Sequence, residues 1–438
     1  RLRTVTGVKT CALPICKPTR VTLHGWNLSR SGFQPDSTAL DTVTLEITPP
    51  EHSSLETIRL RSNQAAIEGF AYHYPGSDTP ILIGIADTPV VSDSSRNQSP
   101  KTAQKISVPT EISGQLIGGS EQDWFAFEAR RGEVLWLEAF GERIASPVDL
   151  ELSLFDSDEK ELVSFRDEQR KREMPRFSGS HSDPVGRWVA PADGLYSVVV
   201  RNVTGGLDDD PRRQYRLSVR REEPDFHLVA VSRSDDPAGL NVPKAGRLAF
   251  DLLAFRRRGM TGSIRVSARN LPAGIECPDV WLGPDVDSAT VVISAAPNAE
   301  PFSGTLHLEG HAEGIGSRRV RGGTVVHKGP TGISSRIVND VMIGIAGDAP
   351  IKLTANGHQT KQHHLYGELK PRHAPGCVVD VAVEIERRDI EHQAPVRLIG
   401  VGLPELIKNQ TTIIPAGTNR GTLSFYLPPT LQIGRAHV

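Results

Sequence analysis

The chain has 438 residues, 38% of them hydrophobic and 23% charged, with a formal net charge of −2. That balance supplies no field to draw in nucleic acid or an acidic lipid surface, and no apolar run approaches the ~20 residues of a membrane helix. The length predicts three to four domains of ~100–150 residues, and 40 glycines with 32 prolines suit short strands joined by many turns.

The two ends of the chain share a coding relationship. A DNA written ATC GGA AGA GCA CAC GTC for Ile433 to Val438 has a reverse complement that, read one base in, encodes Thr-Cys-Ala-Leu-Pro-Ile. That is the segment Thr10 to Ile15. One sequencing adapter ligated to both ends of an insert gives this result. Residues 1–16 and 433–438 are therefore expected to lie outside the native fold, with a fragment of a larger protein between them.

Residues 17–94 read as a first β unit, opening at Val21 to Leu28 and continuing through the alternating Val43, Leu45 and Ile47. The polar stretch Asp93 to Lys101 reads as a linker, since it offers nothing to bury. A second unit spans 95–221 and closes on Tyr215, Leu217 and Val219, alternating with Arg216, Ser218 and Arg220. Within it, Asp156 to Glu173 is too poor in apolar residues for a core-facing helix and reads as a solvated excursion of strand and loop. Glu222-Glu223-Pro224 marks the next boundary.

Residues 222–328 and 329–432 repeat each other weakly. Arg256-Arg257 precedes Asn270-Leu271-Pro272, and Arg387-Arg388 precedes Gly402-Leu403-Pro404. A further alternating strand follows each, Ala289 to Ala295 and Gly421 to Leu427. This order predicts two immunoglobulin-like sandwiches. The whole chain is thus expected to be all-β, a tandem of β-sandwich domains.

The second unit carries the most recognisable residues: Asp123-Trp124-Phe125-Ala126-Phe127-Glu128-Ala129, then Gly132 to Glu138, then Ala190-Pro191-Ala192-Asp193-Gly194-Leu195-Tyr196, then Tyr215 to Arg220. Together these resemble the bacterial pre-peptidase C-terminal domain, a jelly-roll-like sandwich attached to exported peptidases and other secreted proteins. The overall order is similar to large exported proteins of planctomycete type, in which an IPT/TIG-like unit precedes this domain and immunoglobulin-like units follow it. The resemblance implies an extracellular or cell-envelope location and a protein or polysaccharide partner at the cell surface. It also implies calcium near the linker in some members. The corresponding stretch here, Arg96-Asn97-Gln98-Ser99, has no carboxylate, which argues against calcium; no cofactor is expected otherwise.

The candidate ligand-binding residues are Trp124 and Trp136. If Phe125 and Phe127 face the core, Trp124 faces outward, and Trp136 joins it if Leu135 and Leu137 face inward. Two exposed indoles on one sheet face would stack on sugar rings, as in a carbohydrate-binding module. The alternative is that a linker or neighbouring domain covers them.

Other constellations carry less. Asp208-Asp209-Asp210 reads as a solvated loop. His358, His363, His364 and His373 lack HExxH spacing and read as surface residues. Cys277 and Cys377 read as two buried free thiols, with no zinc-type spacing. Ser178 to Asp183 groups Ser, His and Asp in one loop, but a triad needs a scaffold to orient it. No nucleophile elbow or phosphate loop is present. No catalytic or metal-ligating residue is expected, and the chain reads as a non-catalytic accessory, spacer or binding region. An accessory region of a secreted peptidase is the alternative.

Overall fold

Period-two alternation predicts strands that bury one face, and the computed structural model is built of them. It describes residues 3–9, 12–14, 17–28, 40–50, 54–57, 66–77, 79–168, 177, 181–205, 209–234, 239–284, 286–329, 332–356, 362–364, 367–369, 375–389, 393–404, 406–408 and 411–431. Helix among these is limited to two single 3-10 turns, Pro100–Thr102 and Glu142–Ile144. The all-β expectation holds, and no helix among the described residues is long and apolar enough to cross a membrane.

The first unit contains β1 (Thr4–Val8), β2 (Ala12–Pro14), β3 (Thr19–Trp26), β4 (Asp41–Ile47), β5 (Ser54–Thr57), β6 (Ala66–Tyr72) and β7 (Ile81–Ala86). Its sheets run β1-β3-β4 and β2-β7-β6-β5. Val8, Leu13, Val21, Leu23, Leu28, Ile47 and Ile83 fill the space between them. Residues 1–16 are expected to lie outside the fold, and of them 3–9 and 12–14 are described. Of these, 4–8 pair with β3 and 12–14 with β7, and Val8, Ala12 and Leu13 are buried.

A short strand β8 (Val90–Ser92) then crosses into the second unit and pairs in parallel with Glu111 to Ser113. That unit continues with β9 (Gln104–Lys105), β10 (Thr110–Gln115), β11 (Gln122–Ala129), β12 (Val134–Phe140), β13 (Leu150–Phe155), β14 (Glu161–Phe165), β15 (Asp167–Glu168), β16 (His181–Val189), β17 (Gly194–Asn202) and β18 (Gln214–Arg221). Two sheets, β15-β16-β12-β18-β10-β8 and β14-β13-β17-β11-β9, face each other. Phe125, Phe127, Leu135, Leu137, Leu152, Val198, Tyr215 and Leu217 lie between them. The excursion at 156–168 is the edge hairpin of β13 and β14 plus the short β15, with Asp158, Glu159 and Lys160 exposed. The stretch expected to be a solvated linker is a packed strap. Asn97 is buried, its carbonyl accepts from Trp124 N at 2.7 Å, and Asp93 N donates to Ser113 O at 2.9 Å.

The third unit holds β19 (Asp225–Ser232), β20 (Leu240–Lys244), β21 (Arg247–Arg257), β22 (Ile264–Arg269), β23 (Ile275–Glu276), β24 (Val280–Leu282), β25 (Ser288–Ala295), β26 (Phe302–Thr305), β27 (His307–Ala312) and the long β28 (Gly316–Gly329). Two more strands, β29 (Gly332–Val338) and β30 (Met342–Asp348), pair with β28 and with β20 and β26. The pairing therefore carries the third unit past the boundary expected at 328/329. The fourth unit contains β31 (Ile351–Asn356), β32 (Gln362–His364), β33 (Gly367–Leu369), β34 (Val378–Arg387), β35 (Val396–Ile399), β36 (Thr411–Ile414) and β37 (Arg420–Tyr426).

The weak sequence repeat is a structural one. β19-β21-β25 in the third unit has the same antiparallel order as β31-β34-β37 in the fourth, and β22-β24 matches β35-β36. Turns coincide as well. Ile275 N donates to Pro272 O, and Ile407 N to Pro404 O; Val286 N donates to Gly283 O, and Thr418 N to Pro415 O. Asn270 and Gly402, at the same place in the two turns, both take positive φ, 50° and 72°. Cys277 and Cys377 are free thiols as expected, but neither is fully buried: Cys277 is half-buried and Cys377 exposed.

Candidate functional site: a buried carboxylate under the strap and a charged seam

Alternation along β11 places Asp123 on the same side as Phe125 and Phe127, at the end of the core. A carboxylate there needs a partner, and Tyr215 on β18 supplies one across the sandwich, its hydroxyl donating to Oδ2 at 2.6 Å. The ring fits because residue 114 is glycine; a Cβ there would overlap the Tyr215 ring. The second oxygen, Oδ1, is buried and has no hydrogen-bond partner among the described residues. Burial, with the nearby charge of Asp93, raises the Asp123 carboxyl to about 8.

The strap closes over this carboxyl. Asp93 accepts from Ser95 N at 3.1 Å, and burial raises its carboxyl too. Ser94 Oγ donates to Asn97 Oδ1 at 3.3 Å, and Asn97 Nδ2 donates to Trp124 O at 3.3 Å. Glu121 holds the adjoining turn, accepting from Gly118 N at 2.9 Å and from Gln98 Nε2 at 3.0 Å. The calcium implied by the resemblance has acidic residues here but no converged donor set: the carboxylate oxygens of Asp93, Glu121 and Asp123 do not all lie within 4.8 Å of one another and would have to close in on an ion. Asp93, Glu121 and Asp123 repel one another, Asn97 adds an amide oxygen, and Asp123 Oδ1 is an orphan. Calcium selects oxygen ligands of this kind. Asp93, Glu121 and Asp123 lie outside both the stretch Arg96 to Ser99 and the triplet Asp208 to Asp210, where the sequence directs a search for calcium ligands. The available signal was an acidic residue at an inward position of an alternating strand.

The second feature is a seam of charge. On the outward face of β10, β12 and β18, Glu111 is fully buried, with Arg216 and Arg220 only 5% and 7% exposed. Arg216 Nε donates to Glu111 at 2.7 Å and Arg220 Nε at 3.0 Å, while Ser218 Oγ adds a third bond at 2.9 Å. Both arginines reach the first unit, Arg216 through Ile85 O at 3.1 Å and Arg220 through Asp87 at 2.5 Å. A parallel cluster faces the third unit. Glu138 pairs with Arg143 at 2.5 Å and with Arg257 at 3.3 Å. Burial alone would raise the Glu138 carboxyl, but Arg143 and Arg257 hold it well below the usual carboxylate range. Asp183 anchors Arg143 at 2.7 Å and accepts from Gly141 N and Glu142 N, both at 2.7 Å. Its place in the Ser-His-Asp loop is structural.

The two tryptophans do not share a platform. Trp124 faces outward as alternation requires, but it is only 8% exposed and tilts against Phe155 at 4.9 Å. It lines a shallow groove with Gln98, Ile117 and Gln122. Trp136 lies in the opposite sheet, half-buried, its Nε1 donating to Glu222 at 3.1 Å. Phe155 packs against the Trp124 indole, and the Trp136 indole is tied to Glu222 in the segment leading to the third unit. The more exposed indoles are Trp26 and Trp281, at 39% and 43%. Of the acidic triplet, Asp210 pairs with Arg212 at 2.8 Å. His358 and His373 and the side chains of His363 and His364 lie outside the described residues.

One group has metal-ligand types within reach of one another: Glu68, Asp225 and His227. Arginines already occupy it. Arg258 and Arg318 bind Asp225 at 3.1 and 2.8 Å, and Arg257 Nη1 donates to His227 Nε2 at 2.7 Å. Burial and Arg257 push His227 down to about 3, so the ring is a neutral acceptor in a cationic cavity. This cluster belongs to the seam, and its positive surroundings oppose a cation.

No family model and no curated protein matches the chain. Among solved structures, the chain is similar to the pre-peptidase C-terminal domain of a collagenase from Bacillus anthracis, at 20% identity and a TM-score of 0.21, over 28% of this chain and 100% of that one. A Salmonella alpha-2-macroglobulin variant aligns at 13% identity and a TM-score of 0.16, over 93% of this chain and 27% of that one. At these scores the likeness carries no argument about activity.

Proposed function

We propose that this chain is a non-catalytic accessory and spacer region of an exported bacterial multidomain protein, presenting its units to a protein or polysaccharide at the cell surface. The supporting observation is the seam. Charged side chains that would be solvated on an isolated sandwich are buried between the first, second and third units and bonded across them. A spacer that transmits position needs such fixed junctions, whereas beads on flexible linkers do not. Small-angle scattering of the chain at low and high salt tests this. A radius of gyration unchanged between 0.05 and 0.5 M salt, set against one that grows in Glu111→Ala, is expected. Salt-dependent expansion of the unaltered chain would count against a rigid spacer.

The cradle favours a second element of this reading, a cation that tightens the strap. Asp93, Asp123 and Glu121 with Asn97 would hold calcium, which supplies the positive charge these carboxylates lack. The residues themselves tie the strap between the first and second units to the end of the sandwich core. A role as accessory region to a secreted peptidase is compatible with the same rigid geometry. A sugar-stacking role for Trp124 and Trp136 together is not favoured, since they sit in different sheets.

A further inference from the structure

In the third unit, β24, β22, β27 and the start of β28 form an antiparallel patch. Its inner side chains, among them Leu282, Ile264, Leu308 and Val320, are buried in the core of that unit. Alternation sends every second residue to the other face, and the registers align those residues in two rows. In the first row Trp281 stands opposite Arg265, Arg265 opposite His311, and His311 opposite Ser317. In the second, Ser267 donates a side-chain hydrogen bond to Asp279 and stands opposite Glu309, which stands opposite Arg319. Trp281 is 43% exposed, and Arg265 and His311 are exposed with it. Three strand spacings make each row about 14 Å long.

These side chains hold one another in place. The Arg265 guanidinium lies over the Trp281 ring, 5.7 Å from its centre, and its Nε donates to Asp279 at 2.8 Å. His311 Nδ1 lies 3.4 Å from Ser317 Oγ. Arg269 pairs with Glu309 at 3.2 Å, and Arg319 pairs with Asp340. Each of these three guanidiniums is thus matched by a carboxylate, and a face so balanced has no field to gather a polyanion or a polycation. Trp281 is also the one apolar side chain in the two rows, so the face lacks the apolar centre on which protein interfaces are built. A hydroxyl both donates and accepts, and here arginine donors and carboxylate acceptors stand side by side around an exposed indole. The complement is a ligand with an apolar ring face and a rim of hydroxyls, which is a sugar. Because the site is a sheet face and not a pocket, it suits an extended chain laid across it. Side chains already fixed by their neighbours lose little freedom on binding.

We infer that this face of the third unit binds an uncharged, extended polysaccharide of the β-1,4-linked type, a flat ribbon that turns its ring faces to a flat surface. Trp281 stacks on one sugar ring, and Arg265, Asp279, His311 and Glu309 bond hydroxyls along the ribbon. The inference rests on the reading of the chain as a binding region at a cell surface, and it selects one of the two partner classes named there.

Calorimetric titration of the full chain with cellohexaose, mannohexaose and xylohexaose, at low and high salt, tests it. Saturable binding of at least one hexasaccharide is expected, with an affinity that salt does not change. Trp281→Ala should weaken it by at least about tenfold, as loss of a central aromatic anchor does. Trp281→Tyr, which keeps a flat ring, should retain most of it. Trp26→Ala removes the other well-exposed indole and should leave it unchanged. No binding of any of the three sugars at millimolar concentration overturns the inference, as does binding that survives Trp281→Ala. Binding of heparin or of unfolded casein in place of the sugars, lost in Trp281→Ala, also overturns it by making the occupant a polyanion or a polypeptide. The scattering test of the spacer reading is made without any glycan, so a rigid chain that binds no sugar refutes this inference alone, and a flexible chain that binds one refutes only the spacer.

Discussion

Asp123 Oδ2 accepts the Tyr215 hydroxyl hydrogen at 2.6 Å across the two sheets of the second unit, while Oδ1 of the same carboxyl is buried without a partner. The two oxygens set a pH dependence opposite to that of an ordinary salt-bridged carboxylate. Asp123 is raised to about 8 in the folded chain, against roughly 3.9 in the unfolded one. Between those values the folded state binds the extra proton, so stability falls as pH rises from about 4 to about 8. The loss is at most about 1.4 kcal/mol per pH unit. Urea midpoints at pH 5, 6.5 and 8 should fall for the unaltered chain and fall less for Asp123→Asn. Equal slopes in both would mean that Asp123 is ionised throughout.

Calcium should reverse that trend. A cation favours the ionised carboxyl, so its stabilising effect grows as pH approaches 8 and fades near pH 5. At a concentration 100 times its Kd the gain is about 2.7 kcal/mol. Thermal melts in millimolar calcium should rise by several degrees at pH 8, and magnesium, which demands tighter octahedral geometry, should do less. Asp123→Asn and Asp93→Asn should each abolish the rise. A chain whose melting is indifferent to calcium at pH 8 has no cation at the strap.

Much of this fold was legible in the sequence, and the parts that were not share a cause. Alternation gave the inward faces of β11, β12 and β18, because period two is a property of one strand and its neighbours. It also placed Trp124 outward correctly. It could not show that Phe155 and the strap cover that face, since burial there depends on segments far apart in the chain. The same limit hid the seam. Arg216, Ser218 and Arg220 read as a wet face, and Glu111, a hundred residues away, makes it a buried one. The repeat was found from Arg256 and Arg387 because each guanidinium has a fixed task, reaching Gly262 O in one unit and Ala394 O in the other.

Glu111 is the hub of that seam, with bonds from Arg216, Ser218 and Arg220. Removing its carboxylate leaves two buried guanidiniums short of a partner, a change that costs about 3–5 kcal/mol in comparable buried pairs. Glu111→Ala should therefore destabilise the chain by that order in urea melts. Hydrogen exchange should also quicken at β7, because Ile85 O loses a well-placed donor when Arg216 is freed. An effect below about 1 kcal/mol would show that the junction is wetter than its burial indicates.

Phe177 joins the second and third units by packing rather than charge. It is 1% exposed and lies against Val229, Val231 and Leu253 of the third unit, with its ring edge-on to Phe255 at 5.8 Å. Close approach is possible because residue 323 is glycine; a Cβ there would stand 3.2 Å from the Phe177 ring and 2.9 Å from both valines. Phe177→Ala empties this site, and truncating a buried phenylalanine costs about 3–5 kcal/mol. The core of the second unit has its own separate set of residues, so the cost should fall on the junction and the outer face of β19. The expected result is faster exchange at β19 and β21 with little change at β11 and β17. Uniform loosening of both units would instead mean that they unfold as one body, and that Phe177 is part of a single shared core.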